Sequence, residues 1–559
     1  MKLFTIGLVL VGSSLFAAPP NPILDALSSE LGRNFHVLKE KADPPAYFIS
    51  YEVTDTDSHS IAATLGDLSS HNDNRSRILD ISLRVGSEKL DNYHLIGGQA
   101  PQFAAAAAVP IDGGTAALKQ IAWIETDRAY RAAAERLIKI KTSNQVNVAA
   151  QDKSDDFSPA PVATHVEPVE HPKFDSEAWT ARMRDLSAVF KSHPKILNSG
   201  ASIQVSTDER YFVNSEGTRL LHGRGFSRVV ISASARAEDG MNLGNSVIYD
   251  AVDASRLPTE AEMKAAAESL AKEVEALLTA PVAEPFVGPA IFSGRASAVF
   301  FHEIFGHRIE GHRQKNESEG QTFTKSVGER VLPPFLSVVF DPTVKKIEGV
   351  DLNGFYDYDD EGVAAKPVVA VDKGILKSFL MSRSPISGFD ASNGHGRRQA
   401  GYEVVSRQSN LVVKSDNSVP EAKLREMLLA EVRKQNKPYG LFFKDITSGL
   451  TTTGRAGMQA FKVIPVIVYR VYPDGRPDEL IRGADMVGTP LASFNKIAAT
   501  SDRTEVFNGY CGAESGWVPV AVVSPAILVS EIEIEKMEKS QSRPPILPPP
   551  PGTMSGGVE

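Results

Sequence analysis

Between Ser293 and Gly311 apolar residues recur at helical spacing, and Ala296, Val299, Phe300, Ile304, Phe305 and Ile309 are apolar enough to bury the segment. Ser293 stands where an N-cap belongs and Gly311 where a helix can end. Elsewhere the pattern predicts an amphipathic helix over residues 22–41, with Ile23, Leu24, Leu27, Leu31, Phe35 and Leu38 near one face. Residues 47–53, 61–68 and 77–85 alternate like antiparallel strands, and 115–140, 175–190 and 257–278 read as helices. Residues 203–252 read as strand, turn, strand. Past 281–289, where prolines interrupt both helix and ladder, the pattern is mostly β: 368–371 and 375–380 flank a turn at Asp372-Lys373-Gly374, and 463–472 precedes the turn Pro473-Asp474-Gly475.

These elements predict an α+β protein of two domains. The first, residues 19–285, is a sheet with helices, interrupted by a polar, proline-bearing linker or insertion at 144–172. The second, residues 286–537, is a β-rich shell around one buried helix. The proline-rich tail, 538–559, is expected to be disordered.

Composition narrows the function classes. A chain of 559 residues exceeds a single core, and 42% apolar with 23% charged residues is ordinary for a globular protein. A formal charge of −9 without a long basic run argues against nucleic acid as a partner. Residues 1–18 read as an export signal: Lys2 starts it, an apolar run follows, and Ala17-Ala18 offers a cleavage region. The run of about 14 residues is short of the roughly 20 that span a bilayer, so no stable membrane span is expected and the mature chain should be periplasmic or extracellular.

The predicted helix over 293–311 carries His302, Glu303 and His307, and burying such groups costs several kcal/mol unless each finds a partner, which a divalent metal would supply to both histidines at once. A His-Glu pair with a second His is similar to the zincin arrangement, but there the histidines are four apart. Here they are five apart, about 140° around an ideal helix. Either a π-type turn between about Phe301 and Arg308 or a loosening at Gly306 would bring the rings together; otherwise they are core histidines bonded to backbone. Cys511 is the single cysteine, in the setting Gly509-Tyr510-Cys511-Gly512. It can be a buried hydrophobe, a reactive thiol, an intermolecular link, or the thiolate that completes a His, His, Cys site with one position open.

The segment His302-Glu303-Ile304-Phe305-Gly306-His307, with Glu310-Gly311 after it, resembles the HExxxH helix of the TldD/PmbA family of zinc metallopeptidases. Tyr358 to Val363, Asn393 to Arg398, and Cys511-Gly512 followed by Val518-Pro519-Val520 agree in order, so the resemblance spans roughly residues 200–535. It implies one Zn2+ per chain held by His302, His307 and Cys511, with Glu303 as the catalytic carboxylate. It also implies a homodimer, or a heterodimer with a related chain, whose internal cleft takes short or unfolded peptides. Arg397, Arg407 and Asn410 are candidates to grip the peptide. Asp357, Asp359, Asp360 and Glu361 read as a solvated turn, which the resemblance makes a cleft-facing loop. The expected chemistry is amide hydrolysis by activated water with Glu303 shuttling the proton. The alternatives are a zinc hydrolase of a non-peptide amide, and a non-catalytic peptide-binding envelope protein with a structural zinc closed by Glu310 or His312.

Overall fold

In the computed structural model, which describes residues 21–101, 106–112, 114–146, 152–451, 453–455, 461–488, 493–537 and 543–547, helices and strands mix around two large sheets. The predicted export signal and most of the proline-rich tail lie outside the described residues. The fold is α+β. No described helix is long and apolar enough to cross a membrane.

The first sheet is antiparallel in the order Asp67–Ser87, Ala46–Thr64, Asn198–Asn214, Arg219–Arg236, Asn242–Ala251. Strand periodicity of two explains its faces. Odd-numbered positions such as Ile49, Tyr51, Val53, Ile61, Ile203, Val205, Val229 and Ile231 are apolar, and four helices cover them. Helices Pro22–Glu40 and Thr115–Val146 cover one end, Ser176–Ala188 and Glu260–Thr279 the other. The even-numbered positions Glu52, Asp80, Arg210 and Arg224 turn to the opposite face. There they meet the second half of the chain: Arg210 pairs with Glu52 and Asp360, and Arg398 reaches Glu52 at 3.5 Å and Asp80 at 3.7 Å.

In the second sheet, strand Phe286–Phe292 pairs parallel with Gly440–Thr451 and antiparallel with Gly516–Lys536. With Phe461–Val471 and Ala484–Gly488 this closes a ring of strands. Helix Gly294–Ile304 packs its Val299, Phe300, Phe301 and Ile304 against Phe292, Phe443, Val463 and Ile527 of that ring. The long hairpin Ile497–Ala513 with Gly516–Lys536 then carries residues far along the chain back to this helix.

Two expectations need correction. The strands expected at 47–53 and 61–68 are one strand, Ala46–Thr64, because its polar middle is laddered on both sides and Asp55 is held by Arg75 and Arg77. The turn comes at Leu65 and Gly66, both with positive φ. The described part of 144–172 is not a free linker. Its Thr164–Val166 adds a parallel strand beside Arg219–Arg236, and its buried Phe157 lies between the guanidinium groups of Arg84 and Arg383, 4.0 Å from each.

Arg383 ties these parts together. Its side chain is wholly buried, bonds Glu216 bidentately at 2.6 and 2.8 Å, and donates from Nε to the Ser158 carbonyl at 2.8 Å. Arg383→Met is expected to lower the unfolding free energy by about 3 kcal/mol, since it leaves Glu216 and a buried carbonyl without their donor. Denaturant unfolding of the variant checks this.

Candidate metal centre

The helix begins where the sequence puts its cap: Ser293 Oγ accepts from the Ala296 amide at 3.1 Å. It keeps α geometry to Ile304 and then, instead of the expected π-type turn or an end at Gly311, tightens into a 3-10 turn at Gly306–Ile309. Two contacts produce that ending. Arg308 Nη1 collects the carbonyl oxygens of Glu303 and Ile304 at 3.2 and 3.1 Å, drawing the last turn closed. Gly306 lies flat against Gln408, where a Cβ would fall 1.9 Å from Gln408 Oε1. The turn swings His307 back toward His302, and the ring centroids stand 5.2 Å apart.

The hairpin register delivers the third group. Cys511 sits opposite Val518, is buried, and places Sγ 3.4 Å from His307 Nε2. One ligand atom from each of His302, His307 and Cys511 lies within 4.8 Å of the others. The trio fits a tetrahedral zinc, whose sulfur and nitrogen ligands at about 2.3 and 2.0 Å stand about 3.6 Å from each other. His302 Nδ1 is buried with no hydrogen-bond partner, an arrangement costly in a core and natural for a metal ligand.

The centre rests on a second layer of charge. Glu310, wholly buried, places Oε2 3.4 Å from His307 Nδ1 and accepts from Arg313 Nε at 2.8 Å. Its other oxygen lies 3.3 Å from Arg407 Nε, while Arg407 Nη2 donates to the Cys511 carbonyl at 2.6 Å. Burial pushes the Cys511 thiol up, but His307, His302 and Arg407 outweigh it and hold the thiol well below its usual range. Burial pushes His307 down, and the Cys511 thiolate and Glu310 more than reverse this, raising it to about 10. Burial likewise raises Glu310, yet Arg313, His307 and Arg407 bring it to about 2.

Glu303 is half-buried on the same helix and opens on a cavity of about 440 Å3 that His302, His307 and Cys511 also line. Gly449 leaves room for it: a Cβ there would fall 2.4 Å from Glu303 Cγ. A larger cavity of about 870 Å3 beside helix Glu421–Lys434 holds no such cluster, and its Arg295 and Lys444 are paired with Asp445 and Glu273.

The candidate peptide-gripping residues are placed differently from expectation. Arg407 and Asn410 are wholly buried; Arg407 is taken up by Glu310, Cys511 and Ser515, and Asn410 Nδ2 by the carbonyls of Asp341 and Val344. Both are structural props. Arg397 lies at a neighbouring cavity. The acidic run is a solvated turn only at the exposed Asp357: Asp359 is buried and accepts from the amides of Glu361, Val363 and Gly396, and Asp360 pairs with Arg210. His312 is turned to Glu514. Sequence reasoning missed the supporting roles of Glu310 and Arg407. Glu310 had a local signal, three residues after His307, whereas nothing local marks Arg407.

Two sequence models match, the PmbA/TldA metallopeptidase central domain over residues 170–278 and the C-terminal domain over 287–536. The chain belongs to the PmbA/TldD family. It is 31% identical to "Metalloprotease MJ0996" of Methanocaldococcus jannaschii over 232 residues, 41% of this chain and 47% of that one. It is 26% identical to a "Metalloprotease TldD homolog" of Haemophilus influenzae over 46% of this chain and 50% of that one. It therefore spans about half the length of the curated relatives it matches. In fold it is similar to the crystal structure of TldE from Thermococcus kodakarensis, with a TM-score of 0.60 at 14% identity over 91% of this chain and all of that one.

The depressed Glu310 gives a pH expectation. Its ordinary value near 4.3 applies to the unfolded chain, so the unfolded state binds more protons between about pH 4.3 and 2. The stability present above that window is lost as pH falls through it. Glu310→Gln is expected to flatten this acid limb by on the order of 3 kcal/mol. Chemical denaturation of metal-free protein at several pH values between 2 and 6 measures it, and an unchanged slope would show that Glu310 is not held ionised.

Proposed function

We propose that this chain is a zinc peptidase that hydrolyses short or unfolded peptides. The observation that carries the reading is the juxtaposition of the buried His302, His307 and Cys511 with Glu303 on one cavity. Zinc suits the donor set because one thiolate and two imidazoles match a borderline-soft cation. When bound, it supplies a Lewis acid that lowers the pKa of water and offsets charge developing on the scissile carbonyl oxygen.

The remaining work belongs to the protein. Glu310 fixes the His307 ring through Nδ1, leaving Nε2 free toward the cluster. Arg407 holds the Cys511 backbone and adds positive charge that favours thiolate. Glu303 takes the proton from the attacking water and returns it to the leaving nitrogen, which must be protonated because an amide anion departs too slowly. An open fourth position is supported by the engagement of Glu310 with Arg313 and Arg407 and of His312 with Glu514. Export on the strength of residues 1–18, and pairing with a second copy or a related chain, are part of the same proposal.

Metal analysis together with digestion of a peptide library tests the reading. Wild type is expected to carry about one zinc per chain and to cleave. Glu303→Gln should keep the metal and lose at least about a hundredfold in kcat. Equal cleavage by Glu303→Gln and wild type would remove the mechanism. Cys511→Ser should lose most metal affinity, since a neutral hydroxyl replaces an anionic soft ligand. Gly449→Ala gives an independent check: its methyl displaces the Glu303 side chain, so kcat should fall while zinc content stays at the wild-type level.

A further inference from the structure

The even-numbered face of the first sheet meets the loops of the second around another cavity, of about 300 Å3. Arg210 and Arg224 enter it from the first sheet, Arg397 and Arg398 from the second half of the chain. Ion pairing accounts for two of these arginines: Arg210 meets Asp360 and Glu52, and Arg398 meets Glu52 and Asp80. The hydrogen bonds of the other two go, among the described residues, to neutral partners. Arg224 donates to the backbone oxygen and Oδ1 of Asn353 and lies over the Phe226 ring at 4.7 Å. Arg397, 6% exposed, donates from Nη1 to the carbonyls of Gln408 and Pro519 at 2.6 and 2.7 Å and lies over the Tyr356 ring at 4.7 Å.

Asp208, Asp357, Asp359 and Asp360 also border the cavity, but among the described residues none forms an ion pair with Arg224 or Arg397: Asp360 is paired with Arg210, and Asp359 accepts from backbone amides. Asp208 instead accepts from Thr56 Oγ1 at 2.7 Å. Two guanidinium groups, the half-buried Arg224 and the buried Arg397, thus line one cavity with no carboxylate bonded to either, and a desolvated cation in that state favours an anion. Burial pushes both below the usual arginine range, and the charges of Asp208 and Asp250 near Arg224 and of Asp360 near Arg397 reverse this only in part.

The cavity adjoins the candidate metal centre. Tyr510 and Trp517, 43% and 63% exposed, border both spaces. Pro519, whose carbonyl Arg397 holds, pairs with Tyr510, and the next step of that ladder is Val518 with Cys511. The volume is at the low end for ligand pockets, suited to a chain end rather than a chain running through.

We propose that Arg224 and Arg397 bind the free C-terminal carboxylate of the peptide substrate, so that the chain prefers peptides ending a few residues beyond the cleaved bond. This rests on the peptidase reading above and deepens it. Two planar guanidinium groups lining one cavity suit a carboxylate better than a point charge would, and the exposed Tyr510 and Trp517 faces offer apolar surface to the residues between carboxylate and scissile bond. An aspartate or glutamate side chain offers the same chemistry.

The test uses zinc-loaded Glu303→Gln protein, which holds peptides uncleaved, and fluorescence anisotropy with one labelled peptide in three forms: free acid, C-terminal amide, and amide with a terminal glutamate. The free acid is expected to bind at least about tenfold more tightly than the plain amide, and adding Arg224→Gln should erase the difference. Arg397→Lys should weaken it too, because lysine keeps the charge and loses the fork. Arg224→Gln does not touch the Pro519 carbonyl, so a thermal melt like that of the parent makes it the deciding variant.

Equal binding of acid and amide, or a folded Arg224→Gln protein that keeps the preference, overturns the proposal. Binding of the glutamate amide as tight as that of the acid overturns the C-terminal assignment in favour of a side-chain carboxylate. Failure of the peptidase reading looks different: wild-type zinc protein would cleave none of the peptides while the acid preference in binding remained.

Discussion

Arg407 is wholly buried, reaches the carboxylate of Glu310 on one side and holds the backbone of Cys511 on the other. A guanidinium cannot shed its charge, so its burial is tolerable only where anions surround it. Here they are Glu310 and the Cys511 thiolate. Those two in turn are tolerated because His307, Arg313 and Arg407 stand against them. The cluster is thus an interlocked set in which each charge is the condition for burying the next, and it pins the 3-10 turn and the hairpin end in register with one another.

That constraint explains local features that look unrelated. Gly306 is flat against Gln408 because the turn carrying His307 must pass close to the segment carrying Arg407. Gly449 is open beside Glu303 because the strand ring closes tightly on the helix. Arg308 caps the helix two turns early, and the early ending aims His307 at Cys511. In a continuous α-helix the five-residue spacing would splay the two rings.

The relation between the two sheets follows a similar logic at larger scale. One face of the first sheet is covered by helices through apolar contacts. The other carries acids and arginines that meet partners from the second half of the chain, as Glu52 meets Arg398 and Arg210 meets Asp360. A polar face buried this way is directional, since it is satisfied in one placement only. Membership of the PmbA/TldD family and the likeness in fold to TldE accord with this two-sheet architecture.

The sequence by itself determined what local physics can express. Periodicity of two and of 3.6 set out the α+β character, the helix at Ser293 with its cap, and the odd and even faces of the first sheet. The pattern His302, Glu303, His307 marked the helix as chemically unusual, and the lone Cys511 between glycines could be named as a partner. Short-range signals went no further. The polar middle of Ala46–Thr64 read as a break because its compensating arginines lie on another strand. Arg407 and Asn410 read as surface grips, Asp359 as a solvated acid, and Phe157 as part of a loose linker, because burial depends on what the fold brings against a residue. Only the tertiary structure decided that Cys511, more than two hundred residues from His302, lies beside it, and that the helix ends in a tight 3-10 turn. The reason is physical: charge compensation acts through space over a few ångströms, and distance along the chain carries no record of it.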